Sequence, residues 1–280
     1  MNPATIRAFE TVSRIPYLPL LLLAAGWEAV ARLNLVDSLA LPPLSQVAMA
    51  WIDLMKPDGA APAYDGHLWT YIDQYARYAF SGDLLSNGIV SLYRGAVGLL
   101  LAIVVGGGLG MAMARWRMLD VFLNPLVQLF YPLPKSALIP VTVIWLGFGD
   151  GSKILLIFLG CMIPVTIGAY NGARGSEQAL VWSARSMGAS KLRMMWDVVM
   201  PSALPELLNG IRTALALAFI LLVSAELIVS QQGFGYLIGY LGSTGAYEGM
   251  YAVVLTVAFL GFAADRLYQL LMQWLLRWRE

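Results

Sequence analysis

Charge is what this chain has least of. Only 12% of its 280 residues are charged, against 59% hydrophobic. Soluble domains carry about a quarter charged residues. A chain this poor in charge, with a mean hydropathy of +0.69, belongs in a membrane. The one cysteine, Cys161, excludes an internal disulfide and a cysteine-built metal site. The one histidine, His67, argues against a histidine-based catalytic or metal centre. No metal site and no catalytic residue are therefore expected, and the chain is not read as an enzyme. The net charge is +1 and there is no long basic run, so nothing points to nucleic acid. The first apolar run begins near Ile15, and its far end, around Leu39, Ala40 and Leu41, lacks a clear cleavage site. It reads as a retained span.

A crossing helix needs about 20 mostly apolar residues. Six runs qualify: 15–35, 84–114, 121–148, 154–173, 204–230 and 251–276. The expected fold class is an all-α polytopic membrane protein with about six transmembrane helices, one domain over residues 1–280. The third run is interrupted by Pro125, Pro132, Pro134 and Pro140. Lys and Arg near span ends set orientation. Arg7, Arg14, Arg115, Arg117, Arg174, Arg185, Lys191, Arg193, Arg277 and Arg279 all fall on one side of a six-span chain. That predicts a multi-pass protein with both termini in the cytoplasm. Residues 36–82 form the largest outer piece, with Asp-rich composition and short helices. In it, Leu41 to Ser45 read as a turn, Ser45 caps a short helix through Met55, and the Tyr- and Trp-containing stretch 64–80 lies at the interface.

Residues 106–110 read Gly-Gly-Gly-Leu-Gly. A phosphate-binding loop needs a preceding strand and a following Gly-Lys-Ser/Thr, and both are missing. Small residues for close helix packing are the better reading. No nucleotide or other cofactor site is expected in this chain.

The outlier is a charged island inside the apolar chain, residues 174–203. It reads as two short helices. Ser176 caps the first, which runs through Ala179, Leu180, Ala184 and Met187, and Gly188 ends it in a left-handed turn. Ser190 caps the second, with Leu192, Met195, Val198 and Val199 as an apolar stripe, and Pro201 stops it. Two uses fit: a hairpin lying on the membrane surface, or a docking site for a cytoplasmic partner. Ser183, Ala184, Gly188 and Ala189 are small, which lets another surface come close.

The spacing resembles the loop signature of ABC importer permeases: Glu-Ala-Ala, three residues, Gly, nine residues, Ile-x-Leu-Pro. Ser183 and Ala184 fall on the alanines and Gly188 on the glycine. Val198, Met200 and Pro201 fall on the isoleucine, leucine and proline. Trp182 stands where the family has glutamate, and Ser183 replaces an alanine. Leu41 to Val47, Pro132 to Lys135, Ile144 to Gly149, Ala225 to Ile228, and the run from Ala203 to Arg212 are similar to the nitrate/sulfonate/taurine branch. The resemblance covers residues from about Leu41 onward. It implies a type I importer permease fold and a homodimer of permeases. It also implies two cytoplasmic ATPase subunits, which bind ATP and Mg, and a periplasmic or lipid-anchored substrate-binding protein. The 174–203 loop would be the coupling helix seated on the ATPase, through Trp182, Ser183, Ala184, Gly188, Val198, Met200 and Pro201. A small anion, such as a sulfonate, taurine or nitrate, is the implied substrate.

Ionisable groups inside a span cost roughly 2.5–3.5 kcal/mol on insertion scales, so each needs a cavity or a partner. Lys135 sits mid-span beside Pro134. It is either a cation of the translocation path or it pairs with Glu226 or snorkels to the cytoplasmic face. Glu226, deep in the fifth run, hydrogen-bonds within the bundle or helps gate the outer end. Arg94 either attracts the anion or, as the plainer role, pairs with Asp83 or lipid headgroups. Tyr131, Trp145 and Met162 are candidates to line the path, although such residues in spans mostly pack.

Other functions remain on the table. An importer for a neutral or cationic heterocycle is compatible with most of these features. An ion-coupled secondary transporter would show related halves and a midplane ion site, and no repeat is visible. A membrane-embedded enzyme would need a nucleophile–base or metal constellation, which one His and one Cys do not supply.

Overall fold

The computed structural model describes residues 18–37, 39–57, 59–62, 67–175 and 178–279. Among the described residues there are helices and turns and no strand. The order is α1 (Leu18–Arg32), α2 (Leu44–Met55), α3 (Leu68–Ala79), α4 (Asp83–Arg115), α5 (Arg117–Phe130), α6 (Ile139–Leu146) and α7 (Asp150–Arg174). Then come α8 (Gln178–Ser186), α9 (Lys191–Met194), α10 (Met200–Val229), α11 (Phe234–Ser243) and α12 (Tyr247–Leu275). A 3₁₀ turn (Lys135–Leu138) leads into α6, and a π turn (Met195–Val199) joins α9 to α10.

Among the described residues, four stretches are long and apolar enough to cross a membrane: α4, α7, Met195–Val229 and α12. Arg117–Phe130 with Lys135–Leu146 passes the same test as a pair bent by 98°. The pair begins where Tyr170, near the end of α7, donates to Asp120 at 2.7 Å. It ends just before Asp150, the first residue of α7. With 25 residues, α7 is about 37 Å long. The bent pair therefore travels from one end of α7 to the other. It is a broken span, the fifth crossing, and not a re-entrant loop. Pro134 starts the 3₁₀ turn and Pro140 occupies the first turn of α6, where a missing N–H costs little. The described part of the first expected span, α1, has 15 residues, about 22 Å. Residues 15–17 lie outside the described residues, as do Arg7, Arg14 and Ser176.

Packing divides the chain into two units. One takes in the described residues up to Asp83 together with Ile238–Val254. Within it, Trp27 Nε1 donates to Pro42 O at 2.9 Å, and the Trp27 ring meets Tyr251 edge-on at 5.5 Å. Ser45 is not the N-cap of α2; it lies one residue inside the helix. Its N–H and hydroxyl instead donate to the Glu28 carboxylate, at 3.3 and 3.0 Å. A carboxylate from α1 thus satisfies an orphan amide at the positive end of α2. Arg32 holds the same carboxylate at 2.6 Å, the ion pair expected from their one-turn spacing.

The other unit, Leu84–Leu237 with Leu255–Glu280, carries the main apolar core. Leu156, Ile157, Val165, Leu221 and Leu222 are at its centre. In it α4 and α7 run parallel and α10 antiparallel to them. The glycines of residues 106–110 do what small residues do between spans. A Cβ on Gly110 would sit 2.3 Å from Thr166 O, and one on Gly106 2.7 Å from Met162 O. Between α7 and α10, Gly168 faces Gly210 and Gly172 faces Ala203 in the same manner.

Pro201 does not stop the helix that precedes it. It stands in the first turn of α10, directly after the π turn. The wider turn accommodates the missing donor, and Ser202 Oγ donates to the carbonyls of Val198 and Val199, at 2.7 and 3.0 Å, across the junction.

Candidate functional site

The 178–200 hairpin follows α7 and is built by two end motifs. Helix α8 stops in a two-bond turn: Gly188 N–H reaches Arg185 O at 3.0 Å and Ala189 N–H reaches Ala184 O at 3.0 Å. Gly188 has φ +78°, where a Cβ would be strained, so glycine ends the helix as its position predicts. Arg193 N–H donates to Ser190 Oγ at 3.3 Å, which places Ser190 as the cap of α9. α8 packs on the π turn. Ala184 is buried there, while Trp182, Met187 and Trp196 are 63%, 80% and 59% exposed. Ser183 and Gly188 face outward, Val198 and Pro201 are half-buried, and Met200 is exposed. The seven residues expected to act together therefore lie on this hairpin and in the first turn of α10.

At the far end of the same unit the charges are internal. Arg94 is 4% exposed and Glu226 fully buried. Arg94 donates to Glu226 at 2.8 Å, to Asp150 at 2.8 Å, to Ser230 Oγ at 3.2 Å and to Gln232 O at 2.8 Å. Glu226 also accepts from Ser91 Oγ at 2.7 Å and from Gly235 N–H at 3.1 Å. This corrects two expectations. Arg94 does not pair with Asp83, which begins α4 about 16 Å further along the same helix. Lys135 does not pair with Glu226. A hollow of about 750 Å³ opens beside Arg94, with Phe148 and Gln232 in its wall.

Lys135 bonds instead to backbone carbonyls at the broken end of α5, those of Phe130 (3.2 Å) and Tyr131. The Tyr131 ring lies 5.7 Å from the ammonium. Lys135 and Tyr131 are thus brought together, beside Pro134, and Glu226 is not with them. Lys153 repeats the device with the same spacing. It bonds to Phe148 O and, at 3.2 Å, to Gly149 O, but it is 1% exposed. At Lys135 the ammonium satisfies carbonyls at the C-terminal end of α5, where a cation is favoured. The two carbonyls held by Lys153 lie instead in the link just before α7.

Sequence reasoning passed over Lys153, Asp150 and one further pair, Arg212 with Asp265. That pair is bidentate, at 2.7 and 3.0 Å, and ties α10 to α12. The cost of an intramembrane charge, which singles out Lys135, singles out Arg212 and Asp265 equally. Lys153 falls one residue before the expected start of its span.

Residues 98–277 match the family described as binding-protein-dependent transport system inner membrane component. The chain belongs to this family. It is a permease subunit of ABC importers and catalyses no reaction itself. Such a permease works with an ATPase and a substrate-binding partner, as a multi-pass protein of the inner membrane. The permease is 32% identical to the taurine transport system permease protein TauC of Escherichia coli strain K12. That match runs over 246 residues, 88% of this chain and 82% of that protein. It is 30% identical to the putative aliphatic sulfonates transport permease protein SsuC of Bacillus subtilis strain 168, over 94% of this chain and 86% of that protein. An inward-facing structure of the MetNI methionine ABC transporter shares the fold at TM-score 0.57. It covers 66% of this chain and 93% of that one at 20% identity.

Proposed function

We propose that two copies of this permease form the translocation path of an ATP-driven importer for a small organic anion of the sulfonate or taurine kind. The names of its relatives TauC and SsuC support the substrate class. In this reading both termini and the 174–203 segment face the cytoplasm, as the clustering of Lys and Arg suggests. Two ATPase subunits there bind ATP and Mg. A periplasmic or lipid-anchored binding protein delivers the substrate on the other side. The whole of residues 1–280 acts as one permease domain, with 36–82 outside.

The observation that carries the coupling role is the hairpin itself. It is a capped, defined element that leaves Trp182, Met187 and Trp196 uncovered. Exposed aromatic and methionine side chains around small ones suit a protein partner's groove. Trp182, Ser183 and Gly188 would seat in the ATPase, with the buried Ala184 holding α8 on the π turn beneath them and Val198, Met200 and Pro201 linking the seat to α10. ATP-driven closure of the ATPase pair would move both hairpins and turn the permease pair from inward-open to outward-open. The ligands bias an equilibrium between these two states. At the far end, the Arg94–Glu226–Asp150 cluster would hold the outer gate.

The test is co-purification with the partner ATPase and ATP hydrolysis in lipid, with and without Gly188→Trp. Retention of the ATPase by the wild type, lost or uncoupled in Gly188→Trp, is the expected result. Gly188→Asn tolerates the left-handed turn and serves as the control for folding. A wild-type permease that retains no ATPase would sink the reading.

A further inference from the structure

A cavity of about 410 Å³ lies between α4, α5, the 3₁₀ turn, α6 and α7. Its volume is within the range of small-molecule sites. Leu126, Phe130, Trp145 and Met162 represent its wall, which is almost wholly apolar. Among the described residues that line it, Lys135 is the one charged side chain, and there is no carboxylate. Thr166 also lines it, but its hydroxyl proton goes to Met162 O at 2.8 Å. Lys135 gives two of its three N–H groups to the carbonyls of Phe130 and Tyr131, which leaves one for a ligand.

We infer that this cavity binds an organic anion with a single charge and an apolar tail, its head on Lys135 and its tail among Phe130, Trp145 and Met162. This rests on the importer reading above and narrows its substrate class. The wall decides between the candidate anions. Nitrate would exchange its water shell for apolar side chains and one N–H, which is costly. The ammonium of taurine would find no carboxylate. An alkanesulfonate satisfies both halves of the site: the head meets the cation and each methylene removes apolar surface from water.

The experiment uses the full transporter with its ATPase and binding protein, in nanodiscs of zwitterionic phospholipid. Binding of ethane-, butane- and hexanesulfonate is read as the tryptophan fluorescence change that disappears in Trp145→Phe. Affinity is expected to rise about fourfold per added methylene. Lys135→Met should weaken hexanesulfonate by roughly tenfold or more and leave hexanol unchanged. Because Lys135 also caps α5, Met162→Trp supplies a second test: it fills the cavity, keeps the cation and should abolish the signal.

Equal affinity along the series, nitrate binding as tightly as hexanesulfonate, or an unchanged signal in Met162→Trp would overturn the site. So would loss of the signal when anionic phospholipid is added to the nanodisc, since the occupant would then be lipid. ATP-dependent uptake of short sulfonates by the same complex separates the two claims. Uptake without this binding defeats the site alone, and no uptake of any sulfonate defeats the substrate class proposed above.

Discussion

The two ends of the larger unit solve opposite problems with the same few types of polar residue. At one end Arg94, Glu226, Ser91 and the amide of Gly235 are buried and bonded to one another. At the other, the hairpin keeps its charges in the open, as in the Arg193–Asp197 pair at 3.4 Å, and leaves its large apolar side chains uncovered. The first end is complete by itself. The second has surface to give to something else. Stability should therefore reside at one end and association at the other, and substitutions can separate the two.

The largest effect should come from Glu226→Ala. It strands the buried Arg94 guanidinium with one carboxylate, a loss of about 3–5 kcal/mol for a broken buried pair. A fall in the melting temperature of the purified permease is the readout. Replacing Arg94 and Glu226 together by Met should recover most of it, because a well-packed apolar pair needs no counter-charge. If the single and double variants melt alike, the cluster is not what holds that end.

Trp182→Ala should do the reverse. An exposed aromatic anchor at an interface is worth about 2 kcal/mol or more, so ATPase retention should drop at least tenfold. The melting temperature of the isolated permease should not move. A lowered melting temperature would mean that Trp182 packs within the chain. Gly188→Ala is smaller: about 1–2 kcal/mol of left-handed strain, confined to the hairpin. Hydrogen exchange should quicken across residues 182–190 and stay unchanged in α7. Arg193→Ala should be smallest of all, with no measurable change in melting, since both partners of that ion pair face solvent.

Apolar runs and punctuation made much of this molecule legible. Gly188, Ser190 and residues 106–110 have local or nearest-neighbour jobs, and local pattern finds such jobs. The partners of Arg94 were not legible, because Asp150 and Glu226 lie 56 and 132 residues away in the chain. Nothing in a one-dimensional pattern marks which carboxylate an arginine will meet across three helices. Ser45 and Pro201 misled for a related reason. Each sits where its residue type usually caps or breaks a helix. In each case a feature from elsewhere, the Glu28 carboxylate or the π turn, changed what the backbone needed.

Because Pro201 leaves the helix unbroken, residues Met195–Val229 form one rod of 35 residues. At 1.5 Å per residue that rod is roughly 50 Å long. Its near end is the hairpin and its far end carries Glu226. A tilt of about 5° at the near end swings the far end by roughly 4 Å. The bonds that seat Glu226 are 2.7–3.1 Å long and fail well within that swing. If the hairpin docks on an ATPase as proposed, the helix would serve as a lever arm, converting a small angular push at its near end into a bond-breaking stroke at Glu226.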